Sequence, residues 1–410
     1  MSTMTETMTP TGAEFAQLDE ARLADVVRHA VGAGAEAAVE VVSQGLDTVA
    51  YEIGTVSTCA LLRAVGEARV DGQPRTWSAF VKVLQSARVW PMIHFIPDEH
   101  REAFLADFPW RLEIDAQQSP LREVLPDGLR LADLYAVDEI DDDHATLWME
   151  DVPLSREPWG TDRFVRAARL LGALAARRPV GTDAVFGDLR YARDPGCALR
   201  LYMDGRVHPW AGAALRDDAM WSHPAIAAVL DDLGEASPTN GLHADLCHAH
   251  SLVPHLLSIV EALPQTHAHG DASPQNLLVH ADRPDEFVAI DWGFNCPLAV
   301  GFDIGQLLVG LAHSGELDVE ALPSLNDLVV HAYADGLREN GFEASNRDIL
   351  TGHVASTMLR SGFTAMPYEA FERPDVEDSP ALRARLAERV RLTRFMLDLT
   401  RATVPDVWAS

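Results

Sequence analysis

The order of apolar and polar residues divides the chain into a strand-rich first part and a helix-rich second part. Residues 15–31 repeat apolar side chains at helical spacing, which predicts an opening helix. Residues 37–86 instead carry β-branched and apolar runs separated by the turn sequence Asp-Gly-Gln-Pro at 71–74, which predicts antiparallel strands. The same pattern returns around the polar residues 141–144, after a helical region at about 98–125.

Apolar positions return to helical spacing from about residue 161 to the end of the chain. We therefore predict an α+β protein with a small antiparallel-sheet N-lobe, residues 13–152, and a larger helical C-lobe, residues 153–410. The polar, Thr-rich residues 1–12 lack the basic start and apolar stretch of a secretory signal, so we expect them to form a flexible tail.

Composition restricts the classes of partner. The formal net charge of −29 argues against binding to nucleic acid, which requires basic surfaces, and against adsorption to anionic membranes. It is compatible with a cationic substrate, although acidic proteins are also acidic simply for solubility. No window approaches the about 18 uninterrupted apolar residues of a membrane span, and the four cysteines form no CxxC pair. We expect a cytoplasmic protein with reduced thiols.

One segment, HAHGDASPQNLLVHADRPDEFVAIDWG at 267–293, gathers residues suited to chemistry. Two short strands, NLLVH and FVAID, are predicted to pair across a turn. Asp271 and Asn276 precede the first strand and Asp291 ends the second, so we expect three oxygen-bearing side chains at one end of a hairpin. Phosphoryl transfer requires such a set: one carboxylate to accept the proton of the attacking hydroxyl, and a second carboxylate with an amide oxygen to hold Mg²⁺.

The sequences HGDASPQN and AIDWG together resemble the aminoglycoside phosphotransferase-like family, small-molecule kinases related to protein kinases, whose pattern is HGDxxxxN, a strand, then I/V-D-x-G. The resemblance implies a two-lobed protein-kinase-like fold that uses ATP and Mg²⁺. It implies that Asp271 is the catalytic base, that Asn276 and Asp291 bind magnesium, and that His269 is structural. Asp303, in GFDIGQLL, matches an aspartate of the family that braces the catalytic loop.

Lys82, in FVKVL, is the single lysine of a chain that otherwise uses arginine. In the family a lysine on the third strand of the small lobe reaches the α- and β-phosphates of ATP, and arginine has the wrong shape for that slot. Its glutamate partner is expected to be Glu113, which follows W-R-x as in similar sequences, with Glu123 as the alternative. Backbone groups near Glu150 and Val152 would bind adenine, although LWMEDV is equally compatible with an ordinary edge strand.

Other segments leave alternatives open. The chain has no complete G-x-G-x-x-G, and residues 54–58 are our candidate for the phosphate loop. The acidic segment 369–380 is either a solvated loop or an amine-binding site. The arginines at 383, 385, 389, 391 and 394 are expected on the outer face of an amphipathic helix, although they could also bind an anion.

The function that these features predict is an ATP-dependent phosphotransferase that moves the γ-phosphate to a hydroxyl of a small molecule, such as an aminoglycoside, another antibiotic, a sugar or an amino alcohol. The alternative is a nucleotide-binding pseudokinase with a regulatory role. The sparse glycine loop favours this alternative, and the presence of Lys82, Asp271, Asn276 and Asp291 argues against it. A protein kinase is disfavoured by HGD in place of HRD. The sequence gives no indication of the oligomeric state.

Overall fold

The computed structural model describes residues 12–50, 54–96, 98–181, 194–371 and 376–409, and within them the chain forms two compact units. The first unit takes the chain up to residue 119 with 131–154 and 280–282, and the second takes 120–130, 155–279 and 283–410. The predicted α+β class, with an antiparallel sheet in the smaller unit and mainly helices in the larger one, is confirmed. The predicted lobe limits stay a prediction, and the expected tail lies outside the described residues except for its last residue, Gly12.

The first unit is built on a five-stranded antiparallel sheet in the order β1-β2-β3-β6-β5. Its strands are β1 (Val39–Thr48), β2 (Thr58–Val70), β3 (Gln73–Gln85), β5 (Leu134–Glu139) and β6 (His144–Glu150). The short strand β4 (Leu129–Leu131) precedes β5 in the chain. The predicted turn at 71–74 is a two-residue hairpin in which Asp71 and Gly72 both have positive φ, 50° and 76°. Such turns follow the twist of the strands they join and so fix the register of β2 against β3.

The helices of the first unit are the opening helix Glu20–Ala30, then Asp98–Asp107 and Leu112–Gln118. The opening helix begins after Asp19, whose side chain accepts a hydrogen bond from the backbone N–H of Arg22 at 2.9 Å. It buries Val26 and Val27 in one apolar cluster with sheet residues that include Val81 and Val83. Because side chains alternate along a strand, the residue between these two valines, Lys82, points to the opposite face of the sheet.

The second unit is mainly helical, and its core is lined by buried leucines, alanines and aromatic residues. Its helices are Leu121–Val124, Thr161–Arg177, Cys197–Tyr202, Gly212–Arg216, Asp218–Trp221, Pro224–Asp232, Leu242–Ser251, Val253–Ala262, Phe302–Ser314, Leu322–Glu339, Asn346–Thr357, Pro380–Thr403 and Pro405–Trp408. Two π-helical segments, Met203–Ala211 and Met358–Gly362, continue the helices before them. Helical turns of this kind are rare and are frequent at functional sites.

Short strands of the second unit carry the predicted hairpin. Strands β8 (Leu277–Val279) and β9 (Phe287–Ala289) pair antiparallel with Leu277 opposite Ala289. A separate pair joins β7 (Gln265–Ala268) to β10 (Cys296–Ala299). The segment before the hairpin therefore leaves β7, and the segment after it enters β10. In the ranges that the model describes, no helix is long and apolar enough to cross a membrane.

Candidate active site

The loop after β7 is fixed by one buried carboxylate. Asp303, 1% exposed, accepts hydrogen bonds from the backbone N–H of His269 at 3.0 Å and of Gly270 at 2.8 Å. Burial raises the pKa of this carboxyl, while His269, the two backbone N–H groups and Arg178 act in the opposite direction. Asp303 lies in the first turn of the helix Phe302–Ser314, so that helix determines where the loop backbone runs.

His269 links the loop to the hairpin through its two ring nitrogens. Its Nε2 lies 3.0 Å from the carbonyl oxygen of Ile290, and its Nδ1 lies 3.2 Å from the backbone nitrogen of Asp271. A carbonyl can only accept and a backbone N–H can only donate, so the ring is neutral with its proton on Nε2. Complete burial also lowers the pKa of His269, which keeps it neutral. Its role in this geometry is to hold the backbone beside Asp271 and Asp291.

Gly270 has a backbone conformation that few side chains adopt. Its φ is +86°, and a Cβ atom added there would lie 2.1 Å from the carbonyl oxygen of Phe294. Real Cβ atoms do not approach oxygen so closely, so the loop requires glycine at this position for two separate reasons.

The carboxylate of Asp271 is held by three side chains. Asn276 Nδ2 donates to the backbone oxygen of Asp271 at 2.9 Å and to its Oδ2 at 3.1 Å. Gln306 Nε2 donates to Oδ1 at 3.2 Å, and Arg360 Nη2 lies 3.3 Å from the same atom. The Asp271 side chain is nevertheless 27% exposed, so a second molecule can reach it. This combination of fixed orientation and access is what a catalytic base requires.

The hairpin places Asn276 and Asp291 at one end, as the sequence predicts. The backbone N–H of Ile290 donates to the carbonyl oxygen of Asn276 at 3.0 Å, so Asp291 follows directly after the residue paired with Asn276. Asp291 has a φ of 59°, a left-handed conformation that aspartate adopts more readily than most residues. Because Asn276 Nδ2 bonds to Asp271, its Oδ1 is the atom that could bind a metal. An amide and a carboxylate oxygen fit Mg²⁺, which prefers few protein ligands together with water and phosphate.

A buried arginine lies behind this loop. Arg178 is 0% exposed and donates through Nη1 to the carbonyl oxygen of His267 at 2.9 Å and through Nη2 to Asn295 Oδ1 at 3.0 Å. Burial lowers its pKa to about 9, and the negative charge of Asp303 acts in the opposite direction. Asn295 in turn donates to the carbonyl oxygen of Ala268 at 2.8 Å. These contacts tie the two sides of the β7–β10 pair together next to the loop.

In the first unit, Lys82 and Glu113 form a buried ion pair. Lys82 lies on the third strand, paired with Leu61 and Leu147, and its Nζ is 2.5 Å from Glu113 Oε2. The two residues are 7% and 5% exposed. Removing one partner of such a pair leaves an uncompensated buried charge and costs about 3–5 kcal/mol. Glu113 lies in the first turn of the helix Leu112–Gln118, where the sequence predicts the glutamate.

The remaining candidates lie at the ends of strands in the first unit. Glu150, the last residue of β6, accepts a hydrogen bond from the backbone N–H of Asp133 at 3.2 Å through Oε2, and Val152 is 9% exposed. The candidate phosphate loop, 54–58, leads into β2 and is held by Gln85, whose Nε2 donates to the carbonyl oxygen of Val56 at 3.1 Å. Binding of adenine and phosphate at these places stays a prediction.

Two side chains that contact Asp271 are not predicted from the sequence. Gln306 had a usable signal, because it follows Asp303 by three residues and so lies on the same face of the helix. Arg360 had none, because it is 89 residues from Asp271 and only the tertiary fold brings them together.

No known family model and no curated protein matches this sequence. Among solved structures, the chain is similar to an aminoglycoside phosphotransferase from Alicyclobacillus acidocaldarius, at 13% identity and a TM-score of 0.43 over 83% of this chain and 90% of that one. It is similar to a spectinomycin phosphotransferase solved with ADP and spectinomycin, at 10% identity and a TM-score of 0.46 over 93% and 98%. A choline/ethanolamine kinase family protein from Mesorhizobium loti has 16% identity and a TM-score of 0.35 over 79% and 89%. By their names, these three proteins are phosphotransferases and a kinase family protein.

Proposed function

We propose that this protein is an ATP-dependent phosphotransferase that moves the γ-phosphate to a hydroxyl of a small molecule. The observation that carries the proposal is the fixed position of Asp271. Asp303 holds His269 and Gly270, the two residues before Asp271, by their backbone N–H groups. Asn276 and Gln306 hold the carboxylate of Asp271. A hydrogen-bonded carboxylate that stays accessible can orient an acceptor hydroxyl and take its proton as the oxygen attacks phosphorus.

The end of the hairpin would supply the magnesium ligands. Asn276 Oδ1 and the carboxylate of Asp291 would hold Mg²⁺, which neutralises charge on the phosphate oxygens when it is bound. Asn276 contacts Asp271 through its Nδ2 atom, so the same amide would fix the distance between the base and the metal ligand. The backbone of Asp291 is held in a left-handed conformation after β9, so Asp291 would present its carboxylate from a fixed main-chain position.

The ion pair of the first unit would bind the nucleotide. Lys82 Nζ, held by Glu113, is a compact ammonium that can donate to two phosphate oxygens at once. Burial of both partners keeps water away from the ammonium and strengthens its attraction to phosphate. Backbone groups near Glu150 and Val152 would bind adenine.

The test is the variant Asp271→Asn, assayed for ADP release over a panel of amino sugars, sugars, amino alcohols and hydroxy acids. We expect the rate with a productive acceptor to fall by about 100- to 10,000-fold, because an amide cannot take the proton. Mg²⁺-dependent nucleotide binding, measured by calorimetry, is expected to stay within a few-fold of the wild type, since Asp271 is not assigned to the nucleotide.

The control is Asp327→Asn, which removes an exposed carboxylate from the helix Leu322–Glu339 of the same unit and is expected to leave the rate unchanged. Equal turnover by Asp271→Asn and wild type would refute the base assignment. Nucleotide binding by the wild type without turnover of any acceptor would instead favour the pseudokinase alternative.

A further inference from the structure

The arginines of the long helix Pro380–Thr403 do not all have the same role. Five of the six pair with carboxylates: Arg383 with Asp378, Arg385 with Glu369, Arg391 with Glu320, Arg394 with Glu235 and Asp245, and Arg401 with Asp245. Arg389 has no ion pair within 4.0 Å among the residues that the structure describes, and its Nη1 atom is buried there without a hydrogen-bond acceptor. Burial and the charge of Arg385 lower the pKa of Arg389, and the more distant charges of Glu369 and Glu388 act in the opposite direction. A buried guanidinium nitrogen without an acceptor is unfavourable, and an anion that contacted this atom would supply one.

Arg389 belongs to a cluster of positive side chains around His313. The helix Pro380–Thr403, which carries Arg385 and Arg389, contacts the helix Phe302–Ser314, which carries His313, and the π-helical segment Met358–Gly362, which carries Arg360. Partial desolvation of its imidazole lowers the pKa of His313, and the charges of Arg389, Arg385 and Arg360 lower it further. His313 itself is exposed, so the cluster is open to solvent. Arg385 is partly neutralised by Glu369 at 2.6 Å. The chain has a formal net charge of −29, so a local group of positive side chains has the opposite sign to the protein as a whole.

Arg360 connects this cluster to the catalytic carboxylate. It lies in the π-helical segment Met358–Gly362, and its guanidinium stacks over the rings of Tyr202 at 4.6 Å and Phe294 at 5.2 Å. The two rings fix the plane of the guanidinium, and its Nη2 lies 3.3 Å from Asp271 Oδ1. Any molecule that places a hydroxyl at Asp271 therefore comes within reach of Arg360.

We propose that the acceptor carries a carboxylate or phosphate group beside the hydroxyl that is phosphorylated, and that Arg360 and Arg389 bind this anionic group. This inference rests on the proposed function, because it takes Asp271 as the base. Planar guanidinium groups match the geometry of carboxylate and phosphate oxygens. An acceptor of this class differs from the cationic one that the net charge alone would favour.

The first measurement compares acceptors that differ only in charge. Three compounds offer the same type of hydroxyl: glycerate has a carboxylate beside it, glycerol 3-phosphate has a phosphate, and glycerol has neither group. Gluconate and glucitol form a second matched pair. We expect the wild type to phosphorylate members of one anionic class with a kcat/KM at least about tenfold above the neutral counterpart, and the comparison of carboxylates with phosphates identifies which class.

The variants separate binding of the anion from the chemistry. Arg389→Ala is expected to raise KM for the anionic acceptor by about tenfold or more with kcat little changed, and to leave the neutral counterpart unaffected. Arg391→Ala removes the same charge two residues along the helix, where the guanidinium is 3.8 Å from Glu320, and is expected to change neither value. Equal effects of Arg389→Ala and Arg391→Ala would overturn the proposal.

A binding measurement covers the case in which no compound of the panel turns over. Inorganic phosphate and acetate are titrated into the full chain with saturating Mg²⁺–ADP present, so that the nucleotide's own phosphate contacts are already filled. We expect one of the two anions to bind at millimolar concentration, with the affinity lost in Arg389→Ala and kept in Arg391→Ala. Absence of such binding, or turnover of neutral and cationic acceptors alone, would refute the anionic site while leaving the phosphotransferase assignment intact. Failure of Mg²⁺–ADP itself to bind would count against the proposed function.

Discussion

At the scale of single residues, the candidate site depends on backbone conformations that most residues avoid. Gly270 has positive φ where the loop leaves β7, and Asp291 has positive φ where the hairpin ends. Gly270 directly precedes Asp271, and Asp291 is itself one of the carboxylates to which we assign chemistry. Strained conformations of this kind persist only where the surrounding contacts enforce them, and here Asp303 and His269 supply those contacts.

We expect Gly270→Ala to be destabilising and inactivating. The substitution adds a Cβ atom 2.1 Å from the carbonyl oxygen of Phe294 in a left-handed conformation, so the free energy of unfolding is expected to fall by about 2–5 kcal/mol. Urea denaturation followed by circular dichroism measures this change. Gly341→Ala is the matched control, because its φ is +80° but its Cβ would meet open space, and it is expected to cost only about 1–2 kcal/mol. Equal losses in the two variants would show that strain, and not the contact with Phe294, determines the requirement.

Some residues of the candidate site could be identified from the sequence, and others could not. Asp271, Asn276 and Asp291 follow from a local pattern, because loop, strand and hairpin are contiguous and their spacing determines the geometry. Arg360 does not, because its contact with Asp271 joins residues 89 positions apart. Arg389 does not, because the burial of its Nη1 atom depends on the tertiary fold. The alternative that the arginines near the C-terminus bind an anion could be stated from the sequence, but which of them lacks a carboxylate partner depends on tertiary packing.

At the scale of elements, one helix organises the loop that carries Asp271. The helix Phe302–Ser314 presents Asp303, Gln306 and Gly310 on one face, at spacings of three and four residues. Asp303 holds the start of the loop, Gln306 holds the carboxylate of Asp271, and the carbonyl oxygen of Gly310 accepts a hydrogen bond from Gln275 Nε2 at 3.3 Å. A shift of this helix would therefore move Asp271 together with the loop.

We expect Asp303→Asn to reduce both stability and turnover. An amide offers one acceptor where the carboxylate offers two, so one of the two backbone N–H groups of His269 and Gly270 loses its partner, and Arg178 loses a neighbouring negative charge. The free energy of unfolding is expected to fall by about 3–5 kcal/mol. At a temperature where the variant stays folded, kcat is expected to fall while nucleotide affinity changes little. Chemical denaturation and ADP-release kinetics measure the two effects.

The control for this variant is Asp335→Asn, which removes a half-exposed carboxylate that pairs with Arg338 on the helix Leu322–Glu339. A surface pair contributes at most about 1 kcal/mol, so stability is expected to change little. A normal kcat in Asp303→Asn would mean that the loop keeps its position without this brace.

At the scale of the whole molecule, the larger unit contains fully buried histidines that stay neutral. Burial lowers the pKa of His353 to about 3, and burial together with the charge of Arg178 lowers the pKa of His267 to about 4. In the unfolded chain a histidine titrates near 6.5. Below that pH the unfolded state binds more protons than the folded state, so these groups make the protein less stable as the pH falls from about 6.5 towards 4. The raised pKa of Asp303 acts in the opposite direction, and a variant is needed to isolate the histidine contribution.

We expect His353→Gln to flatten the pH dependence of stability. Between pH 6.5 and 4, the free energy of unfolding of the wild type should change with pH more steeply than that of the variant, by about 1.4 kcal/mol per pH unit. The reason is that the variant takes up one proton fewer than the wild type when it unfolds. Urea denaturation at a series of pH values measures the slope. His331→Gln, which replaces an exposed histidine, is expected to leave the slope unchanged. Parallel curves for wild type and His353→Gln would contradict the assignment of a buried neutral ring.

The overall architecture was also predictable to a large extent. The β-branched and apolar runs over 37–86, separated by a turn sequence, predicted antiparallel strands, and the helical spacing after 161 predicted helices. The α+β class that follows from them is confirmed. The π-helical segments Met203–Ala211 and Met358–Gly362 were not predictable, since a single inserted residue per turn leaves no distinct sequence pattern.

The single lysine has a practical consequence. A protease that cuts only after lysine has one target bond in the whole chain, and that bond lies inside β3, next to a side chain 7% exposed. Cleavage therefore requires the central strand of the small sheet to detach, so the digestion rate reports how often that sheet opens. A nucleotide that engages the ammonium would slow the cut, which makes a plain gel assay a sensor of ligand occupancy in the first unit.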